Sequence, residues 1–187
     1  LNGQVATIRG ESQITGANGQ IEYIALEPPT ATGFTGSVEA IRAAEMVVIG
    51  PGSLYTSILP NLLVREIADA LRATSALKVY VCNIATQPGE TVGYNVADHV
   101  ETIERVLGTG VLNAVVANSS FQTENAGENT FYVQPVPADH SLPQRCRVIT
   151  TDLVEFERPW RHDSHKLAAV LLDLHQLIDH WERRCYP

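Results

Sequence analysis

The chain has 187 residues, with 21 acidic against 13 basic side chains and a formal net charge of −8. That balance, with no clustering of the lysines and arginines, excludes an ordinary polyanion binder, so nucleic acid is not an expected partner. Hydrophobic residues make up 44% and charged residues 18%, enough apolar material for one packed domain and too much for a disordered chain. No apolar run approaches the ~20 residues of a spanning helix, and no basic, apolar, small-residue sequence opens the chain. No membrane partner and no secretion signal are therefore expected. The cysteines Cys82, Cys146 and Cys185 are odd in number and form no Cys-x-x-Cys pair. A reducing compartment without disulfides or a thiolate zinc site follows, and Cys82, which ends an apolar run, reads as a buried small hydrophobe.

The first 30 residues predict a small antiparallel unit. Short alternating segments at Val5, Thr7 and Arg9, at 11–14 and at 21–26 flank the turn signal Gly16-Ala17-Asn18-Gly19. Glu27-Pro28-Pro29 stops the last segment, because proline cannot donate to a ladder. From residue 37 the pattern changes. Ser37 is placed to cap a short helix carrying Val38, Ile41 and Ala44. Residues 46–49 form a continuous apolar run, the mark of a strand buried on both faces. After Pro60 a helix is expected with Leu63, Ile67, Ala70 and Leu71 on one side, and 77–82 read as a second buried strand. Residues 95–107 predict another helix, with Asn95 and Asp98 as a capping box, Val96, Val100, Ile103 and Leu107 as its stripe, and Gly108 at its end. Residues 111–117 and 147–150 predict further strands. Between them lies a Gly-, Asn- and Pro-rich tract with one apolar piece at 131–133. The last helix is capped by Asp163 or Ser164 and carries Leu167, Val170, Leu171, Leu174, Leu177, Ile178 and Trp181. That stripe is core, or a homodimer seam where the sheet offers it no partner.

Alternating helices and strands joined by right-handed crossovers give an α/β class. One domain is expected over 1–187, with a Rossmann-like parallel sheet covered by helices over 37–187 and the antiparallel hairpin subregion over 1–30. Ligands of such sheets bind beyond the carboxyl ends of the strands. Two strand ends there carry polar, glycine-bearing loops. The first is Gly50-Pro51-Gly52-Ser53-Leu54-Tyr55-Thr56-Ser57. Its glycines admit a ligand close to the backbone, and its amides with the Ser53, Thr56 and Ser57 hydroxyls suit a phosphate. It contains neither the Lys of a Walker A loop nor the spacing of a dinucleotide fingerprint, and a tight strand-to-helix turn explains it as well. The second is Asn83-Ile84-Ala85-Thr86-Gln87-Pro88-Gly89-Glu90-Thr91. Asn83, Thr86 and Gln87 offer neutral donors and acceptors for a sugar or base, and with Gly89 and Glu90, the loop's one charge, they make the expected sugar- or base-binding set. A solvated loop is the competing account. Neither loop contains an adjacent His-Asp pair or a nucleophile elbow, so no catalytic residue is assigned. Asp98 reads as a cap rather than a metal ligand. His162, Asp163 and His165 read as a helix-start cluster, and His175 as an outer-face residue. No metal site is expected.

Three blocks in order resemble the gluconeogenesis factor family of the 2-phospho-L-lactate transferase-like superfamily. They are the Gly50-Pro51-Gly52-Ser53-Leu54-Tyr55-Thr56-Ser57 block running into Pro60-Asn61-Leu62-Leu63, the Val79-to-Tyr94 block followed by Asp98-His99, and Pro159-Trp160-Arg161-His162-Asp163 with Lys166-Leu167-Ala168. The resemblance runs from about Gly10 to Leu174. Leu54 and Tyr55 stand where the transferase branch carries smaller residues, which places the chain in the gluconeogenesis factor branch. The glycine-rich segment that opens the family's sheet is not in this sequence, so a C-terminal portion of a longer chain is expected. The resemblance implies a cytoplasmic, Rossmann-like protein that binds a UDP-type nucleotide-sugar and bears on bacterial carbon metabolism and cell shape. It implies no certain cofactor. The alternative is a phospholactate-type transferase acting on a nucleoside diphosphate conjugate, with a divalent metal such as magnesium as cofactor.

Overall fold

A computed structural model describes residues 5–15, 19, 21–122, 125–126 and 130–177. Four strands, β1 (Met46–Ile49), β2 (Leu77–Val81), β3 (Ala114–Asn118) and β4 (Arg147–Thr151), make one parallel sheet in the order β1-β2-β3-β4. Every residue of β2 and β3 is buried. These central strands are covered on both faces, so their apolar runs need no alternation. β1 departs from that expectation: Ile49 is its one buried residue and Val48 is 38% exposed. It pairs with β2 on one side and lies at the sheet's edge. A run of apolar residues signals affinity for a neighbour, and burial follows only where the neighbour is present.

The first 30 residues differ from the expected antiparallel unit. Glu11–Thr15 form a short helix, α1, begun by Gln13 and Ile14 amides donating to the Gly10 carbonyl, and residues 21–26 run on without a ladder partner among the described residues. The expected turn at 16–18 lies outside the described residues. A helical turn makes its few hydrogen bonds within itself and leaves the rest to solvent, whereas an alternating segment becomes a strand only beside another. This tract is instead fastened by side chains. Ile21 and Ile24 pack on the core, and Arg9 pairs with Glu27 at 2.8 Å.

α2 (Thr35–Ala43) starts after Phe34, so Ser37 sits inside its first turn and does not cap it. The single helix expected after Pro60 is two pieces, α3 (Leu59–Leu62) and α4 (Arg65–Ala73), and a π-helical turn at Leu54–Ile58 precedes them. Pro60 has no amide to donate and is tolerated in a first turn, which is where it lies in α3. Val64, extended at φ −70°, ψ 115°, then separates α3 from α4. α5 (Val96–Leu107) is built as its sequence indicates. The Asn95 side chain accepts from the Ala97 and Asp98 amides, Asp98 accepts from the Asn95 amide, and Gly108 ends the helix at φ +98°.

One face of the sheet presents Tyr80, Cys82, Val115 and Ala117 to Leu54, Leu59, Leu62, Leu71, Val100 and Ile103. The other presents Leu77, Val79, Ala114 and Val116 to Ile84, Tyr132, Leu153 and Leu174. The last helix, α6 (Ser164–Gln176), covers this second face with Leu167, Val170, Leu171 and Leu174. Asp163 is its cap, accepting from the His165 and Lys166 amides at 2.9 and 3.1 Å. Ile178 and Trp181 of the expected stripe, and Cys185, lie outside the described residues. Between β3 and β4 the described residues contain only a 3-10 turn, Leu142–Gln144. Its apolar piece serves another purpose: Tyr132 bridges Ala85 in antiparallel fashion, and the Val133 amide donates to the Ile84 carbonyl at 2.9 Å. No helix among the described residues is long and apolar enough to cross a membrane.

Candidate functional site

β1 and β2 are neighbours, so the loops at their carboxyl ends, 50–57 and 83–91, meet at one crest of the sheet. The first leaves β1 through Gly50, at φ +84° before a cis Gly50-Pro51 peptide. A β-carbon on Gly50 would lie 3.0 Å from the Val81 carbonyl oxygen. Only glycine combines that dihedral with so close an approach to β2. Gly52 is different. Its φ is not positive, and a β-carbon there would meet Ser57 and Ile58 at 3.6 and 3.7 Å, ordinary contact distances.

Side chains join the two loops. The Gln87 amide nitrogen donates to Ser53 Oγ at 2.7 Å, and Asn83 donates weakly to Gln87 at 3.4 Å. The Thr56 hydroxyl donates to one oxygen of the Glu90 carboxylate at 3.0 Å, and the Tyr55 amide donates to the other at 3.3 Å. Glu90 is buried, 5% exposed. One amide expected to face a ligand, that of Tyr55, is therefore engaged by a carboxylate of the protein, while the Ser57 and Ile58 amides close the turn on the Ser53 carbonyl. The Gly52 and Ser53 amides have no hydrogen-bond partner among the described residues, and both residues are only half-buried. Gly52 and Ser53 are the part of the expected cradle that stays open ahead of the π-helical turn.

The other expected site residues divide by what holds them. Pro51 and Ser57 are exposed, and the Ser57 carbonyl accepts from Asn61 at 2.7 Å. Tyr55 is 5% exposed, with its ring edge-on to Tyr94 and its hydroxyl 2.6 Å from the Tyr94 hydroxyl. It walls the crest from beneath. Burial and the Tyr55 hydroxyl push the Tyr94 phenol up to about 12. Thr86 is buried, its hydroxyl bonded to both the carbonyl and the amide of Phe131 at 3.2 and 3.3 Å, so it anchors the second loop. Asn83, Gln87 and Gly89 are half-buried on the crest, with Gly89 at φ +77°. Thr91 accepts from the Gln87 amide at 2.9 Å and holds that loop's turn.

Two contributors to the crest were not singled out from sequence. Tyr94 looked like the end of a motif, and its pairing with Tyr55 depends on two segments 39 residues apart. His162, read as part of a helix start, comes within 3.2 Å of the Cys82 carbonyl at the end of β2, and burial lowers its pKa. No local pattern connects positions 80 apart. Cys82 itself is fully buried and its thiol is pushed up to about 12, the state of an inert core residue. Among the described residues no group of three His, Cys, Asp or Glu side chains could hold a metal ion.

Residues 2–154 match the family described as 2-phospho-L-lactate transferase CofD. The chain is 36% identical over 178 residues to the gluconeogenesis factor of Bacillus subtilis, covering 89% of this chain and 54% of that protein. It is 39% identical over 174 residues to a putative gluconeogenesis factor of Nostoc, covering 88% of this chain and 38% of the relative. A crystal structure of a UPF0052 family member from Bacillus halodurans superposes with a TM-score of 0.81 at 34% identity, over 88% of this chain and 55% of that one. The chain thus spans about half the length, or less, of these relatives. With the parallel sheet and these likenesses in agreement, the chain belongs to the CofD family and is similar to its members named gluconeogenesis factors.

Proposed function

We propose that the protein binds a nucleotide-sugar of the UDP type at the crest formed by residues 50–57 and 83–91, and acts as a regulatory binding protein rather than a catalyst. The observation that carries the reading is the joined pair of loops. They present the Gly52 and Ser53 amides beside Ser53, Asn83 and Gln87 with no lysine or arginine in either loop. Neutral donors at strand ends hold a diphosphate reversibly and supply none of the charge neutralisation that phosphoryl or nucleotidyl transfer requires. The Gly52 and Ser53 amides would take the phosphates, with Asn83 and Gln87 toward the sugar or base. A place in the cytoplasm, in bacterial carbon metabolism and in cell shape belongs to the same proposal, as does a homodimer.

The second reading, a phospholactate-type transferase using a nucleoside diphosphate conjugate and magnesium, draws on the description of the matching family. A turnover assay with such a conjugate and magnesium separates the two. The binding reading is tested with Gly52→Val. A β-carbon at that position meets only ordinary contacts at a φ open to any residue, so a β-branched side chain there is expected to crowd the Gly52 and Ser53 amides while the fold is kept. Calorimetry with UDP-glucose is expected to show binding by the unaltered protein and at least tenfold weaker binding by a Gly52→Val protein of unchanged melting temperature. Equal affinities would refute the placement of the phosphates.

A further inference from the structure

The β2–β3 register runs as far as Val81 against Val116, and the Cys82 amide adds one more bond, to the Val116 carbonyl at 2.9 Å. The Cys82 carbonyl is taken by a side chain: His162 Nε2 lies 3.2 Å from it. A carbonyl oxygen only accepts, so Nε2 carries the proton and the neutral ring keeps its lone pair on Nδ1. Nδ1 has no hydrogen-bond partner among the described residues, and it is not sealed from solvent. The backbone beneath the ring is fixed. His162 bridges Val154 in antiparallel fashion, and the Asp163 amide donates to the Leu153 carbonyl at 2.8 Å. Leu153 and Val154 are both fully buried. The imidazole therefore stands at the carboxyl end of β2, one peptide away from Asn83, on the side of the sheet where ligands of such folds lie.

A nucleotide-sugar presents hydroxyls and a uracil N–H as well as phosphates. Each of those donors gives up a water partner on binding and needs an acceptor in the site. We infer that His162 is a specificity-determining contact of the crest, held through Nε2 by the Cys82 carbonyl and accepting through Nδ1 from a neutral donor of the ligand, a sugar hydroxyl or the uracil N–H. This rests on the binding reading above and adds to it an acceptor from a segment 80 positions away from Cys82. The role needs a neutral ring, because a protonated one donates at both nitrogens. Burial lowers the His162 pKa more than the Cys82 carbonyl raises it. The charges around it are engaged elsewhere: Glu155 pairs with Arg158, Asp152 with Lys166, and Asp163 accepts from two amides of α6. The Cys82 thiol is neutral, and the flanking Arg161 and His165 are exposed.

His162→Gln separates the two nitrogens. The glutamine nitrogen can stand where Nε2 stands and keep the bond to the Cys82 carbonyl, and nothing accepts at the Nδ1 position. Calorimetry at neutral pH is expected to show UDP-glucose binding about fivefold weaker, or more, in His162→Gln than in the unaltered protein, the loss of one hydrogen bond, at an unchanged melting temperature. The same comparison with UDP locates the donor. A loss with UDP-glucose alone places it on the glucose, and an equal loss with both places it on the uridine. Unchanged affinity for both ligands overturns the inference and leaves the crest a binding site. So does a loss confined to UDP, whose terminal phosphate UDP-glucose lacks. A second measurement needs no variant and decides alone should His162→Gln fail to fold: the His162 titration followed by NMR with and without UDP-glucose. A donor on Nδ1 favours the neutral ring, so binding should move that titration to lower pH. A move to higher pH, as a phosphate beside the ring would cause, overturns the inference, and so does no move. If UDP-glucose does not bind the unaltered protein, the binding reading falls and this inference falls with it.

Discussion

Gly50 and Gly52 stand two residues apart in one motif, and the structure separates their roles. Gly50 is structural: positive φ and a β-carbon position 3.0 Å from a backbone oxygen leave no room for a side chain. Gly50→Ala is expected to cost about 1–3 kcal/mol, the range for a side chain forced into a sparsely populated backbone region. Denaturant unfolding should show the lowered midpoint, and an unchanged one would mean that β1 can retreat from β2 at no cost. Gly52 meets only ordinary contacts and is the glycine a ligand would need. The sequence offered both as points of close backbone approach. It could not tell approach to a ligand from approach to the neighbouring strand, because the Val81 carbonyl lies 31 positions away along the chain. Glu90 illustrates the same limit. From sequence it is expected among the residues that face a sugar or base, and only the meeting of two loops shows it buried against Tyr55 and Thr56.

Among the elements, α5 was the most legible and the helical stretch after Pro60 the least. α5 carries its start signal, its stripe and its stop signal in local order, and each works as read. Its stripe is also its energy. Ile103 is fully buried between α5 and the sheet, so Ile103→Ala should cost about 2–5 kcal/mol through lost transfer free energy and the cavity left behind. On α6, Leu172 is 62% exposed, and Leu172→Ala should stay within about 0.5 kcal/mol. Equal losses in the two variants, measured by chemical unfolding, would mean that the outer side of α6 is covered in solution. The stretch 54–73 runs as a π-turn and two short helices because 54–64 must both close the crest loop on the Ser53 carbonyl and bury Leu54, Leu59 and Leu62 beneath it. No periodic pattern satisfies both demands. The N-terminal tract differs for a simpler reason: alternation proposes a strand, and among the described residues no strand pairs with 21–26.

Taken whole, the molecule ties its stability to pH through histidines that burial keeps from protonating. Burial lowers the pKa of His99, which is fully buried edge-on to Tyr94, and that of His162 beside β2. The unfolded chain takes up these protons near pH 6.5 and the folded chain does so only at lower pH. Stability is therefore fully present above about pH 6.5 and falls as pH drops from there toward the depressed folded values. Asp152, lowered mainly by its hydrogen bond from Lys166, and Asp163, lowered mainly by the Lys166 amide, add a further loss in the same direction, confined to pH below the ordinary carboxylate value. Melting temperatures should decline between pH 7 and pH 5. His99→Phe keeps a ring against Tyr94 and removes the titration, so it should flatten that decline. A decline of undiminished slope would assign it to other groups.

The sequence by itself determined the class of the molecule: a parallel sheet, α5 and α6 capped where their cap residues stand, polar loops at strand ends, and three ordered blocks that point to one family. These are local or periodic properties, carried by residues within a few positions of each other. Tertiary structure alone decided that β1 lies at the edge of the four described strands, that residues 21–26 pack without a ladder partner among the described residues, that Tyr55 turns inward to Tyr94, and that Glu90 occupies donors of the loop opposite. Each of these depends on a contact between segments tens of residues apart, and burial and pairing exist only once both segments have arrived.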